Sequence, residues 1–230
     1  MKIDILTLFP GMFENFLNES MVGIAINKKA LEVNLTDIRD FATDKHNTTD
    51  DYPYGGGAGM VMKPEPLYGA IKSVLDDNIP VIYFTPQGKL LTQEIVQKYS
   101  KLEKFVIVCG HYKEIDQRIR DSLVTEELSI GDYVLSGGEI PAMVMVDAVA
   151  RLLPGVLGDI ESALSDSHQD TLLGCPHYTR PAIFIDMKVP EVLTSGNHKK
   201  IDEWRQKKSE EITKKNRPDL WEKYQKDNNE

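Results

Sequence analysis

The sequence predicts an α/β fold with a mostly parallel sheet, on two observations. Short apolar runs rich in β-branched and aromatic residues, K-I-D-I-L-T-L-F (2–9), V-I-Y-F-T (81–85) and F-V-I-V-C-G (105–110), each end at a turn signal or a glycine, the mark of buried strands. Helical stretches lie between them, at M-F-E-N-F-L (12–17), P-L-Y-G-A-I-K-S-V-L (66–75) and T-Q-E-I-V-Q-K-Y (92–99). Strand alternating with helix builds a parallel sheet covered by helices.

In chain order, the first run carries Asp4 and no small-residue cleavage site follows, so it reads as a strand and not as a signal peptide. V-N-L-T-D-I-R-D alternates apolar and polar residues, which suggests a strand at 32–39. Pro64 and Pro66 suit the entry to the next helix, and Thr92 is a good N-cap for the one after it. Pro141 opens a long helix, P-A-M-V-M-V-D-A-V-A-R-L-L, which Pro154-Gly155 stops. The polar stretch G-D-I-E-S-A-L-S-D-S-H-Q-D lacks apolar periodicity and reads as a linker. The expected organisation is a first domain over 1–157, a linker over 158–168 and a smaller helical domain over 169–230. Its long helix has a thin apolar stripe (Ile201, Trp204, Ile212), and Pro218 starts a short final helix.

Hydrophobic residues make up 41% of the 230 and charged residues 27%, enough for a sizeable core. No apolar run approaches the roughly 20 residues of a membrane span. Two cysteines far apart argue against a disulfide framework. Cys109 reads as a buried free thiol, and the expected compartment is the cytoplasm. A net charge of −9 argues against nucleic acid, whose partners are usually basic. The distribution is uneven: residues 188–230 hold 11 Lys and Arg against 9 Asp and Glu, the first 187 hold 16 against 27. That tail suits an RNA contact as well as a solvated helical face.

Glycine-bearing clusters supply the motifs. In D-Y-P-Y-G-G-G-A-G-M (51–60) no Gly-Lys-Ser/Thr follows, Lys63 comes too late and no apolar strand precedes, so the run is not a phosphate-binding P-loop. Glycines between aromatics suit close approach of another backbone or a flat ligand; a flexible loop is the other reading. S-I-G-D-Y-V-L-S-G-G-E-I-P-A-M (129–143) leads Gly137 and Gly138 into the Pro141 helix, where free amides at a helix start grip ligands. C-G-H-Y-K-E-I-D (109–116) and T-P-Q-G (85–88) follow strands, where open α/β sheets hold ligands. These loops are expected to form one pocket. His168, His177 and Cys175 match no zinc spacing. By residue type alone Asp166 is a solvated linker carboxylate, and Arg151 is an i,i+4 partner of Asp147.

In this order D-Y-P-Y-G-G-G-A-G-M, T-P-Q-G, S-I-G-D-Y-V-L-S-G-G-E-I-P-A-M, H-Y-T-R-P and S-G-N-H resemble the bacterial tRNA (guanine-N1)-methyltransferases of the TrmD type. The resemblance runs from L-F-P-G-M-F to R-P-D-L, essentially the whole chain. It implies a SPOUT methyltransferase with a deep trefoil knot holding S-adenosylmethionine, an obligate homodimer with each site across the interface, and no membrane association. The substrate it implies is tRNA, methylated on N1 of guanosine 37 when guanosine precedes it, which supports reading-frame maintenance.

Carried over residue by residue, the resemblance implies cofactor contacts from Tyr83, Phe84, Thr85, Pro86 and Gly110. Ile130, Gly131, Asp132, Tyr133, Val134 and Leu135 follow, with Gly137, Gly138 and Pro141 completing the wall. It implies Asp166 as catalytic base with Arg151 as its partner, and tRNA contacts from His177, Tyr178, Arg180, Ser195, Asn197 and His198. Gly55, Gly56, Gly57, Gly59 and Met60 would border the guanosine and the methionine end of the cofactor.

The chain departs from the family pattern at several positions. The family's C-G-R-Y-E-G-I-D reads C-G-H-Y-K-E-I-D here, so Lys113 replaces a functional glutamate and Glu114 a glycine; separately, Gly174 replaces an acidic residue common before the C-P-H-Y block. The resemblance implies Mg2+ for activity, and the replaced glutamate leaves its site unknown. A SPOUT methyltransferase acting on another RNA, or an inactive RNA-binding relative, are the alternative readings.

Overall fold

Alternating side-chain direction along the strands sorts the core of the first unit onto two faces of one sheet. In the computed structural model residues 1–157 and 171–228 are described, and the chain divides into two compact units, Met1–Gly158 and Asp159–Glu230. The first runs β1 (Lys2–Thr7), a 3-10 turn at Pro10–Phe13, α1 (Glu14–Asn18), α2 (Ser20–Asn27), β2 (Glu32–Asp37), β3 (Asp50–Asp51) and β4 (Val61–Met62). Then come α3 (Pro64–Val74), β5 (Val81–Leu90), α4 (Gln93–Tyr99), β6 (Lys104–Val108), β7 (Glu114–Ile115), α5 (Gln117–Leu123), β8 (Glu126–Ser129) and α6 (Glu139–Ala150).

The central sheet has the order β2-β1-β6-β5-β8 and every neighbouring pair is parallel. Ile3, Ile5, Ile82, Phe84, Phe105, Ile107 and Leu128 pack on one side with Val22 of α2, Val96 of α4 and Ala142, Met145, Val146 and Val149 of α6. Leu6, Val81, Tyr83, Val106 and Val108 pack on the other with Leu67, Ala70 and Ile71 of α3 and Ile119 of α5. Cover on both faces is why these strands read as continuous apolar runs. Each fully buried aliphatic or aromatic side chain contributes about 1.5–3 kcal/mol.

Several boundaries differ from expectation. T-P-Q-G is not a loop beyond a finished strand: β5 continues to Leu90, with a register shift because Phe84 and Lys89 both oppose Leu128. The intervening residues bulge, and a bulge re-aims side chains without ending the pairing. The strand expected over 32–39 stops at Asp37, whose side chain accepts from Arg39 N at 2.9 Å and caps a 3-10 turn at Ile38–Phe41. The long helix begins at Glu139, two residues before Pro141, with Gly138 as N-cap. The 12–17 stretch splits between the 3-10 turn and α1.

The second unit holds β9 (Ile183–Phe184) paired antiparallel with β10 (Met187–Lys188), then α7 (Glu191–Thr194), α8 (His198–Asn216) and α9 (Pro218–Asp227). Of the thin stripe on α8, Ile201 is buried and Trp204 and Ile212 are half-buried. Thr213, fully buried, accepts from Leu173 N at 2.9 Å and donates to Ser209 O at 2.7 Å. No helix among the described residues is long and apolar enough to cross a membrane.

Candidate active site

β5, β6 and β8 run parallel, so the segments at or beyond their carboxyl ends share one edge of the sheet, and a cavity opens there. Its wall is Tyr83, Phe84, Thr85 and Pro86 from β5, the 110–114 segment after β6, residues 128–131 and 133–138 from β8 onward, and Pro141 of α6. The structure therefore brings together every residue expected in a cofactor pocket except Asp132, which does not line the cavity.

Glycine at this wall answers to close approach. A Cβ on Gly110 would lie 2.7 Å from Tyr83 Cε2, and one on Gly138 2.7 Å from Cys109 Cα. The segments after β6 and before α6 touch through backbone: Gly138 N donates to Gly110 O at 2.9 Å, and His111 bridges Gly137. Below them Glu139, buried at the start of α6, meets His111 Nε2 at 2.7 Å and accepts from the Thr7 hydroxyl at 2.6 Å. One carboxylate thus ties the end of β1, the loop after β6 and the head of α6.

Tyr83 forms the floor. Its hydroxyl donates to Glu114, and burial together with that carboxylate pushes its pKa upward, so the phenol stays a donor. Glu114 Oε2 in turn lies 3.3 Å from Arg120 Nη1. Arg120 is buried, forks onto Glu127 with two 2.8 Å hydrogen bonds, donates to Gln87 Oε1 at 2.9 Å, and sits 5.6 Å from the Tyr83 ring centroid. Bidentate pairing of this kind fixes orientation as well as charge.

A divalent cation does not fit the residues at this point. Lys113 presents an ammonium where the resemblance has a carboxylate, and the Glu114 oxygens are engaged by Tyr83 and Arg120. Among the described residues no group of three or more His, Cys, Asp or Glu is placed to hold a metal ion.

Gly55, Gly56, Gly57 and Gly59 all have positive φ and, with Met60, stand outside the cavity wall. Lys113 joins them to it: Lys113 N donates to Met60 O at 3.0 Å, and a Cβ on Gly59 would lie 3.5 Å from Lys113 Cβ. Arg151 is the exposed C-cap of α6 and is not in the wall. Asp166 and the linker over 158–168 lie outside the described residues.

In the second unit Tyr178 and Arg180 line a shallow depression with Val189 and Leu193. Ser195 Oγ donates to Val192 O at 2.8 Å, Asn197 caps α8 by accepting from Lys200 N at 3.2 Å, and His198 is the first residue of α8. His177 is exposed in the segment before them.

Leu128 lines the cavity from outside every motif quoted above, because β8, E-E-L-S, is too short and too charged to read as a strand. Glu139 was quoted within a motif but given no role. Its signal was a lone acid at a helix head bounded by glycines and apolar residues.

A family model described as tRNA (Guanine-1)-methyltransferase TrmD matches residues 1–223. The chain belongs to the TrmD family.

Curated TrmD relatives agree in length as well as sequence. Proteins named tRNA (guanine-N(1)-)-methyltransferase are 51% identical in Clostridioides difficile, over 97% of this chain and 98% of theirs. The one in Anoxybacillus flavithermus is 54% identical over 98% and 93%, and that in Caldanaerobacter subterraneus 54% over 96% and 91%. A methyltransferase of the TrmD family implies S-adenosylmethionine as methyl donor. The wall suits an adenosine, with apolar Leu128, Ile130 and Pro141 and glycines where a Cβ would intrude.

Proposed function

We infer that this chain is a tRNA (guanine-N1)-methyltransferase. The observation that carries this is the match of a TrmD-family chain along nearly its whole length with a glycine-walled cavity at the carboxyl edge of its parallel sheet. S-adenosylmethionine supplies an electrophilic methyl group on sulfur. Tyr83, Gly110, the backbone of 130–135 and the Gly137–Gly138 pair are proposed to hold its adenosine. The close approach of Gly137 and Gly138 to residues 109–111 supports the reading that the chain there is threaded as a trefoil knot.

The acceptor we propose is N1 of guanosine 37 in a tRNA with guanosine before it. Neutral guanine N1 carries a proton and is a poor nucleophile, so a carboxylate must take that proton as the methyl bond forms. Asp166 is proposed for this role. Charge then grows toward O6, where Arg151 is proposed to stabilise it. The C-terminal unit, with His177, Tyr178, Arg180, Ser195, Asn197 and His198, is proposed to bind the RNA. A homodimer with sites across its interface is supported by exposed Ile140 and Val144, one turn apart on α6. Mg2+ enters no step here, because the residues at Lys113 and Glu114 do not fit it.

The test is transfer of labelled methyl from S-adenosylmethionine to a tRNA transcript with guanosine 37 and to its adenosine-37 counterpart. Label on the first alone is expected. Equal label on both would sink the assignment of guanosine 37.

A further inference from the structure

Tyr112 has φ +61°, a left-handed conformation uncommon for a bulky residue, and the following Lys113 lies beside the glycine loop. A Cβ on Gly57 would sit 3.9 Å from Lys113 Nζ. The neighbouring carboxylate, Glu114, is engaged by Tyr83 and Arg120, so it does not neutralise that ammonium. Gly56 N donates to Pro53 O at 3.2 Å, whereas the amides of Gly57 and Gly59 make no backbone hydrogen bond among the described residues. Tyr52 and Tyr54, at 79% and 102% exposure, flank the same loop.

A cation over free amides is an anion site, and exposed aromatic rings beside it favour nucleic acid, whose bases stack on them. We propose that Lys113 and the Gly57–Gly59 amides bind a phosphate of the RNA substrate at the cavity mouth. The proposal rests on the tRNA reading above and adds a contact that a carboxylate at this position would repel.

Binding of a tRNA transcript to the full-length protein, measured by fluorescence anisotropy from 50 to 200 mM KCl, tests it. Lys113→Gln is expected to weaken tRNA binding about three- to tenfold and to reduce the salt slope by about one. Lys113→Arg should retain wild-type tRNA binding, because it keeps the positive charge. Lys113 is exposed, so matching melting temperatures are expected and checked. Unchanged tRNA affinity and salt slope in Lys113→Gln would overturn the phosphate site, as would equal weakening in Lys113→Arg. Failure of the wild type to methylate any tRNA would instead overturn the functional reading itself.

Discussion

Gly138 shows how a single missing methylene shapes the cavity. Its backbone is right-handed, with φ −82° and ψ −4°, so alanine meets no conformational objection there. The obstacle is distance, because a Cβ would lie 2.7 Å from Cys109 Cα and 3.0 Å from Gly110 N. Backbone cannot swing aside as a side chain does, and overpacking of this kind costs about 1–3 kcal/mol. Gly138→Ala is expected to lower the melting temperature by several degrees and to weaken cofactor binding. A melt and affinity matching wild type would contradict the close crossing. Gly55, with φ +84° and nothing within 4 Å of its missing Cβ, is glycine for its torsion rather than for its neighbours.

At the scale of elements, α5 is locked to β8 by Arg120 on Glu127, and through Gln87 to the bulge of β5. The hydrogen bond from Arg120 holds the Glu127 carboxyl below its ordinary value. A carboxyl so depressed contributes stability above its unfolded pKa, about 4.3, and loses it as pH falls through the lower folded value. Urea midpoints of the wild type should therefore fall as pH drops below about 4, and Arg120→Met should reduce that fall while lowering stability at pH 7. An unchanged acid slope in the variant would contradict the assignment. The strands β1 and β6 were legible because both faces are apolar, and the Thr92 cap because its hydroxyl accepts from Ile95 N. The helices α2 and α5 and the strand β8 were not read. Arg120 looks like a surface residue until Glu127, Glu114 and Gln87 converge on it, and that convergence is tertiary. The extension of β5 through Pro86 was hidden because proline and glycine signal a turn, whereas here they fill a bulge against Leu128.

For the molecule as a whole, the parallel order β2-β1-β6-β5-β8 decides where the loops meet. The pocket residues were named from motifs, and only the sheet explains why separate segments between Tyr83 and Pro141 share a wall. Assembly is the next level, and the homodimer proposal makes a prediction of its own. A mixture of Asp166→Ala with a cofactor-loop variant such as Gly138→Ala should show more methyl transfer than the two variants show separately, since heterodimers rebuild one shared site. No recovery, with mixed dimers present by mass spectrometry, would count against sharing across the interface. The central claim, that the cavity at the carboxyl edge of the sheet holds the methyl donor, is tested most directly by NMR titration of the isotope-labelled protein with S-adenosylmethionine. Shifts are expected at the amides of Gly110, residues 130–135, Gly137 and Gly138, and not at the opposite edge around Asp76–Ile79. Saturable shifts at that opposite edge, with the cavity amides unmoved, would contradict it.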